Sequence, residues 1–210
     1  ELKTPLSIIS ANLDVLYANK DETIASQLKW IDYASKGVKR MSGLVQSMLA
    51  LSKAETENTL LNKSAVNIGN ILNNTVSLFQ ITADDKNITI ERHIPVEVTA
   101  FTYPALIEQC IHILIDNAVR YTPRNGTINI LLDKTKSAVL LKIENSGRGI
   151  SEYDLPKIFD RFFRSDTSRT DGGHGLGLSI AKTGIEKLGG SIEVISIENK
   201  KTIFTVKIPV

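Results

Sequence analysis

The spacing of apolar residues changes along this chain of 210 residues, and that change constrains the fold more than any other feature. From Leu2 to about Leu51 the apolar residues recur at steps of three and four, which places them on one face of an α-helix. The polar stretch ANKDET, residues 18–23, interrupts the pattern, and Asp21 or Thr23 is available to cap the next helix. We therefore predict two antiparallel helices joined by a short loop.

A lone helical hairpin cannot bury both of its apolar stripes. Pairing of two copies through residues 1–55 would complete a four-helix bundle, so we expect a homodimer. The alternative is that the hairpin packs against the rest of its own chain.

After the polar stretch at residues 56–64, helical and alternating patterns mix. We place one domain at residues 1–58 and a second at residues 62–210. In the second domain the pattern predicts helices over 67–86, 104–121 and 178–189, and strands over 87–94, 126–133, 138–145, 190–198 and 202–210. Several strands with helices on one face indicate an α+β fold, a two-layer α/β sandwich.

Composition excludes several classes of protein. The net charge of +2 comes without clustered Lys and Arg, so we expect no nucleic-acid partner. The single cysteine, Cys110, lies in the apolar run CIHILI, which favours a buried, inert thiol over a reactive one. No stretch has the roughly 18 consecutive apolar residues of a membrane span. This absence concerns these 210 residues only.

Three stretches of the second domain could carry chemistry. In DNAVRYTP, Asn117 interrupts an apolar helix; it either bonds to neighbouring backbone or presents its amide to a metal ion or phosphate. In ENSGRGI, Gly147 and Gly149 follow a strand and allow either a simple turn or close approach to a ligand. In DGGHGLGLSIAK, residues 171–182, four glycines precede a helix whose free N–H groups could bind an anion.

The order of these motifs, with the Phe-Arg cluster IFDRFFRSD between the last two, resembles the ATP-binding domain of sensor histidine kinases. That domain belongs to the superfamily shared with gyrase, Hsp90 and MutL. The hairpin that opens ELKTPL resembles the dimerisation and phosphoacceptor domain of the same kinases. The resemblance covers nearly the whole chain.

The resemblance implies a protein-histidine kinase that uses ATP and Mg²⁺. In that family the acceptor histidine precedes Glu-Leu-Arg/Lys-Thr-Pro-Leu, so it would stand immediately before Glu1. Glu1 corresponds to the general base. Thr4 corresponds to the residue that orients water during dephosphorylation of the partner, although it could be a plain solvent-facing residue. The partner is the receiver domain of a response regulator, whose aspartate takes the phosphoryl group.

The nucleotide site is carried over in the same way. Asn117 corresponds to the Mg²⁺ ligand, and Arg120 and Tyr121 to the residues beside phosphate and adenine. Arg164 corresponds to the arginine at the phosphate tail, and Thr202 to a threonine near adenine. The remaining motif positions are Gly147, Gly149, Ile150, Phe159, Gly173, Gly175, Leu176, Gly177 and Leu178.

Two positions depart from the family pattern. Ile113 stands where many members carry a second Asn, which removes one polar contact to metal or phosphate. Asn145 stands where many carry the Asp that accepts from the adenine amino group, and its carbonyl can accept the same bond. None of the three histidines, His93, His112 and His174, lies on the hairpin, so none can replace the acceptor.

The predicted function is thus the cytoplasmic catalytic core of a membrane-anchored sensor kinase, with phosphatase activity as a second capability. Two alternatives stay open. One is an ATPase of the same fold, of the gyrase or Hsp90 kind. The other is a non-catalytic dimerisation and docking module.

Overall fold

The computed structural model describes residues 2–55, 62–165 and 175–210. Its internal contacts divide the chain into two compact units, Glu1–Ser52 and Lys53–Val210. We call them the hairpin and the sandwich, and describe each by itself. The domain boundary predicted at residues 56–64 falls partly outside the described residues and stays a prediction.

The hairpin consists of α1, Lys3–Ala18, and α2, Ile24–Glu55. The backbone N–H of Ser26 donates to Oγ1 of Thr23 at 3.4 Å, so Thr23 caps α2. The two predicted helices and their short loop are confirmed.

Contacts inside the hairpin fix its antiparallel course. Nε2 of Gln27 donates to the carbonyl of Asn19 beside the loop. Further from the loop, a Cβ on Gly37 would lie only 2.7 Å from Cγ1 of Ile9. Each step back along α1 is thus matched by a step forward along α2.

The side chains buried in the hairpin are small or polar rather than large and apolar. They are Pro5, Asn12, Gln27, Ala34 and Gly37. The large apolar residues of both stripes stay exposed in the single copy: Leu6, Leu13, Ile24, Leu28, Ile31, Val38 and Val45. The two helices therefore do not cover each other's apolar stripes.

The sandwich contains ten regular elements among its described residues. In chain order they are β1 Ser64–Asn67, α3 Ile68–Asp85, β2 Thr89–His93, β3 Thr99–Thr102, α4 Pro104–Tyr121, β4 Thr127–Lys134, β5 Ala138–Ser146, α5 Gly177–Lys187, β6 Ser191–Ile197 and β7 Lys201–Pro209. A short 3₁₀ turn, Leu155–Lys157, lies between β5 and α5. Every predicted helix and strand of this domain is present.

Five strands form one sheet in the order β2-β4-β5-β7-β6, with β2 parallel to β4 and the other pairs antiparallel. The inner face of the sheet and helices α3, α4 and α5 enclose one core of aliphatic side chains. Leu72, Leu114, Leu141 and Ile185 are each at most 1% exposed. This arrangement confirms the predicted two-layer α+β sandwich.

A second sheet of two short strands was not predicted. Strand β1 pairs antiparallel with β3, with Ser64 opposite Thr102 and Asn67 opposite Thr99. Asn67 then caps α3, because its Oδ1 accepts from the N–H of Asn70 at 3.0 Å. The pair thus ties the start of the sandwich to the strand that leads into α4.

Across the described ranges, no helix combines the length and apolar character needed to cross a membrane.

Candidate functional site

A row of three polar side chains crosses the inner face of the sheet near one end. Asn145 on β5 is opposite Thr202 on β7, and Thr202 is opposite Ser196 on β6. Cross-strand partners project on the same side of a sheet, within contact of one another. Asn145 is 4% exposed and Thr202 is 6% exposed. Buried polar groups in such a row need hydrogen-bond partners or a ligand.

The amide of Asn145 has a defined orientation. Its Nδ2 donates to the backbone carbonyl of Ser146 at 3.1 Å. No donor from the described part of the chain reaches its Oδ1. The side chain therefore offers an oxygen acceptor, as the prediction for adenine requires.

Ser196 connects three parts of this site and was missed by sequence reasoning. The N–H of Ile150 donates to its Oγ at 2.8 Å. The same Oγ lies 3.0 Å from the carbonyl of Lys201 and 3.0 Å from Oγ1 of Thr202. A serine in an alternating strand carries no motif, so only the strand register could have identified it.

The glycine turn after β5 is fastened to the β6–β7 turn and to the end of α4. The N–H of Gly147 donates to the carbonyl of Lys200 at 3.0 Å, and the N–H of Asn199 donates to the carbonyl of Arg148 at 2.7 Å. A Cβ on Gly147 would lie 2.8 Å from the carbonyl oxygen of Tyr121. The glycine therefore permits a close approach of two backbone segments.

Gly149 has a positive φ of 65°, and a Cβ there would collide with the carbonyl of Ile197. Both features require glycine. The backbone conformation of this turn therefore depends on glycine, and the turn forms one side of the candidate site.

Asn117 lies in the penultimate turn of α4, half-buried. Within the described ranges no group hydrogen-bonds its side-chain amide, so the backbone-bonded alternative is not what the structure has. The neighbouring Arg120 pairs with Asp116, with Nη2 and Oδ2 2.9 Å apart. An uncommitted amide oxygen fits the oxygen ligands that Mg²⁺ prefers.

The end of α4 is held by a lysine that the sequence did not single out. Nζ of Lys86 donates to the carbonyls of Val119 and Arg120 at 2.9 and 3.0 Å, and lies 3.3 Å from that of Thr122. A cation there satisfies carbonyls that a helix end leaves unpaired and complements the helix dipole. Lys86 thus positions the turn that carries Arg120 and Tyr121.

Tyr121 is half-buried, and the guanidinium carbon of Arg148 lies 5.2 Å from the centre of its ring, a cation–π contact. Arg148 also borders an open groove of about 410 Å³ that Arg124 and Lys200 line as well. Gly147, a predicted nucleotide contact, also lines this groove, whereas Asn117 and Asn145 do not.

The start of α5 contacts α4 at a position one helical turn before Asn117. A Cβ on Gly177 would lie 3.3 Å from Cγ2 of Ile113. Leu176 is 1% exposed, and Leu178 packs against the core. Ile113, which departs from the Asn that the resemblance implies at this position, therefore fills space beside the helix N-terminus.

The segment before α5 is described from Gly175 onward. Gly175 has a φ of 70°, and its carbonyl accepts from the N–H of Phe162 at 2.8 Å. Gly173 and His174 lie outside the described residues, so the predicted contact of Gly173 with nucleotide stays a prediction.

The Phe-Arg cluster contributes to the core. Phe159 and Ile150 pack against the aliphatic core, and Nζ of Lys182 lies 5.3 Å from the centre of the Phe159 ring. Arg164 is half-buried, with further interactions of its own. Its predicted role at the phosphate tail stays a prediction.

On the hairpin, Thr4 is exposed in the first turn of α1, beside the buried Pro5. Glu1 lies outside the described residues. His93 is in β2 and the ring of His112 lies 5.0 Å from that of Phe79, so both belong to the sandwich. In the described ranges no three His, Cys, Asp or Glu side chains cluster as metal ligands would.

Cys110 is 1% exposed, and burial raises the pKa of its thiol to about 12. The predicted burial is confirmed, and a raised pKa disfavours the reactive thiolate.

The three sequence motifs therefore converge on one side of α4. The glycine turn meets Tyr121, α5 begins beside Ile113, and Asn117 lies between them along the helix. A two-layer sandwich with such a cluster at a sheet end has the form of a nucleotide-binding domain. With the helical hairpin that precedes it in the chain, it defines a class of two-domain proteins in which a helical hairpin is followed by an α+β sandwich.

Comparison with known proteins gives the family. Residues 102–210 match the family described as Histidine kinase-, DNA gyrase B-, and HSP90-like ATPase. Residues 1–57 match the His Kinase A (phospho-acceptor) domain. The chain belongs to the histidine kinases that join these two domains.

Comparison with individual proteins and solved structures gives the same family. The chain is 34% identical over 212 residues to the sensor protein CiaH of Streptococcus pneumoniae, all of the chain matching 47% of that protein. The chain thus spans about half the length of the curated relatives it matches. Histidine kinase AdeS of Acinetobacter baumannii has a similar structure, with a TM-score of 0.76, 27% identity, and coverage of 100% of this chain and 96% of that one. Histidine kinase ThkA, solved in complex with the response regulator protein TrrA, gives a TM-score of 0.79 at 25% identity and covers 100% of this chain and 58% of that one.

Proposed function

We propose that this chain is the catalytic core of a sensor histidine kinase, which transfers the γ-phosphoryl group of ATP to a histidine and then to an aspartate of a response regulator. The observation that carries the proposal is that a phosphoacceptor domain and an ATPase domain match one chain in this order. The proposal places this catalytic core in the cytoplasm. Membrane anchoring belongs to parts of the protein outside this sequence.

ATP binds, in this proposal, between the inner row of the sheet and the end of α4. The acceptor oxygen of Asn145 receives the adenine amino group, and Thr202 lies next to it in the row. The turn containing Gly147 and Gly149 lets backbone approach the nucleotide. The N-terminus of α5 directs free N–H groups at the phosphates.

The uncommitted amide of Asn117 fits a magnesium ligand, and Arg120 lies one turn away on the same helix. Bound Mg²⁺ would neutralise charge on the phosphates. The remaining task of the protein in phosphoryl transfer is to position the donor and the acceptor. Arg120 and Arg164 add positive charge for the phosphate tail.

The acceptor in this proposal is a histidine immediately before Glu1. The carboxylate of Glu1 would take the imidazole proton as the phosphorus–nitrogen bond forms and the bond to the ADP leaving oxygen breaks. Thr4 is exposed on α1, one turn beyond that histidine. There it can orient water for dephosphorylation of the partner.

Two protein partners belong to the proposal. A second copy of the chain covers the exposed stripes of the hairpin through residues 1–55. The receiver domain of a response regulator takes the phosphoryl group, in keeping with the response regulator present in the ThkA complex.

The test uses the chain with one histidine added before Glu1, incubated with Mg²⁺ and ATP labelled in the γ-phosphate. We expect an acid-labile phosphoprotein that a receiver domain then discharges. Asn117→Ala should lower the rate of labelling by about 100-fold, the size of effect seen when one positioned polar group is removed from an active site. Asn74→Ala is the matched control, because Asn74 is an exposed asparagine on a different helix, α3.

Other outcomes have clear meanings. ATP hydrolysis with no phosphoprotein would indicate an ATPase of the same fold. Binding of a receiver domain without nucleotide affinity would indicate a docking module. Absence of any thermal stabilisation by Mg²⁺ and millimolar ATP analogue would reject nucleotide binding altogether.

A further inference from the structure

The hydroxyl group of Ser196 meets three partners whose chemistry determines where each proton lies. The N–H of Ile150 can only donate, at 2.8 Å, and the carbonyl of Lys201 can only accept, at 3.0 Å. A serine hydroxyl carries one proton and two acceptor lone pairs. Its single proton therefore points to the carbonyl of Lys201.

The third partner is then also determined. Oγ1 of Thr202 lies 3.0 Å from Oγ of Ser196. Since Ser196 has no second proton, the hydroxyl of Thr202 must donate to Ser196. Thr202 consequently has no proton left for a ligand and can meet one only as an acceptor.

Asn145 also presents a hydrogen-bond acceptor to the site, for a separate reason. Its Nδ2 is committed to the carbonyl of Ser146 at 3.1 Å, which leaves Oδ1 toward the site. Asn145 and Thr202 are direct cross-strand partners, buried on the same face. The row therefore offers two adjacent acceptors to whatever base lies against it.

We propose that Ser196 is a positioning residue that sets the hydrogen-bond polarity of Thr202, so that the site selects purines with an amino group at position 6 over purines with an oxo group there. The inference rests on the proposed nucleotide site and adds a specificity device to it. A 6-amino group donates two hydrogens and suits two acceptors. A 6-oxo group would face them with a third acceptor, and unmatched buried polar groups give the strongest discrimination between ligands.

Ser196 also fastens the glycine turn, through Ile150, to the strand that carries the row. This bond lies beside the two backbone bonds that join Gly147 and Arg148 to the β6–β7 turn. Loss of the serine could thus weaken every nucleotide alike. The preference between two bases separates this general effect from the proposed one.

The experiment measures dissociation constants of Mg²⁺–ATP and Mg²⁺–ITP by calorimetry on the 210-residue chain, because ITP differs from ATP only in carrying the 6-oxo base. The wild-type chain should prefer ATP. Ser196→Ala frees the Thr202 proton to donate, so the ATP-over-ITP preference should fall by about five- to tenfold, the effect of one neutral hydrogen bond. Ser196→Thr keeps the hydroxyl and should retain the preference.

Three further variants make the result decisive. Ser191→Ala, on the exposed end of the same strand, is the matched control and should change nothing. Ser196→Cys, with a poorly bonding thiol of similar shape, repeats the test if the alanine variant does not fold. Thr202→Val should lower the preference by itself, and adding Ser196→Ala to it should lower the preference no further.

Two failures are distinguishable. If the wild-type chain binds ATP but Ser196→Ala weakens ATP and ITP equally, or the wild type does not prefer ATP, this inference is overturned while the proposed nucleotide site stands. If the wild type binds neither nucleotide, the proposed function fails and the inference falls with it.

Discussion

The hairpin and the sandwich bury opposite kinds of side chain. In the sandwich the largest aliphatic residues are the most buried, with Leu72 and Leu141 at most 1% exposed. In the hairpin Leu13 and Leu28 are 52% and 58% exposed, whereas Asn12 and Gln27 are below 10%. Helical periodicity alone does not show whether an apolar stripe is buried within one chain or remains exposed.

This difference separates two sources of stability. The sandwich encloses its own hydrophobic core and should fold independently of a partner. The hairpin has small and polar side chains between its helices, which supply little hydrophobic stabilisation. Its exposed leucines are then available to a second copy, as the proposed homodimer requires.

The largest expected effect comes from the sandwich core. Leu141→Ala on β5 should lower the free energy of unfolding by about 2–5 kcal/mol, because it removes buried methyl groups and leaves a cavity. Leu131→Ala is the matched control, since Leu131 lies on the neighbouring strand but is 44% exposed. Urea unfolding followed by circular dichroism measures both. Equal losses in the two variants would contradict a self-sufficient core.

The second prediction concerns the hairpin. Leu28→Glu should cost the dimer about 2 kcal/mol for each copy, because a charge replaces a leucine that the partner would bury. Sedimentation equilibrium should therefore show monomers where the wild type is dimeric. Leu78→Glu on α3 is the control, as Leu78 is 73% exposed in the sandwich. A monomeric wild type, or dissociation by both variants, would count against pairing through the hairpin.

The sequence predicted the long elements of both units because their periodicity is local. Helix α4 was predicted at the residues it occupies, Pro104–Tyr121. Strands β1 and β3 were missed, since four residues show no clear alternation and their pairing joins Ser64 to Thr102 across the intervening α3 and β2. Pairing between segments that are distant in sequence produces no recognisable pattern in either segment alone.

The same limit applies to the site. Asn117, the glycines and Asn145 could be named because their types are unusual at those positions. Ser196 and Lys86 could not, since a serine in a strand and a lysine after a helix are ordinary residues. Their importance comes from cross-strand register and from the approach of α3 to the end of α4.

The third prediction compares one glycine from each unit. Gly149→Ala should cost about 1–3 kcal/mol and weaken ATP binding, because its φ is 65° and the methyl group would meet backbone of Ile197. Gly37→Ala should change hairpin stability by less than about 1 kcal/mol. Its methyl group would lie 2.7 Å from Cγ1 of Ile9 and 3.4 Å from the carbonyl oxygen of Pro5, so the Ile9 side chain has to shift, but alanine favours helix and offsets part of that cost. Thermal unfolding with and without nucleotide distinguishes the two, and a larger loss at Gly37 would reverse the comparison.

The last prediction uses one buried thiol in each unit. Each thiol reacts with a labelling reagent only when its unit opens, and the thiols themselves should change stability least. Cys110 is buried in the sandwich, and burial raises the pKa of its thiol from 9.0 to about 12. The unfolded chain ionises its thiol at lower pH, so this group contributes stability that is fully present below about pH 9 and declines as the pH rises toward 12. Native protein should therefore resist a thiol reagent at about pH 8 and react only in denaturant.

Ala34→Cys places the second thiol at a buried hairpin position, where alanine is 9% exposed. This thiol should react faster than Cys110, because less apolar burial opposes opening of the hairpin. Its labelling should also slow as protein concentration increases, since dimerisation stabilises the hairpin by mass action. Cys110 labelling should not depend on concentration. If both thiols were protected equally at every concentration, the hairpin would be as self-sufficient as the sandwich, and the need for a second copy would disappear.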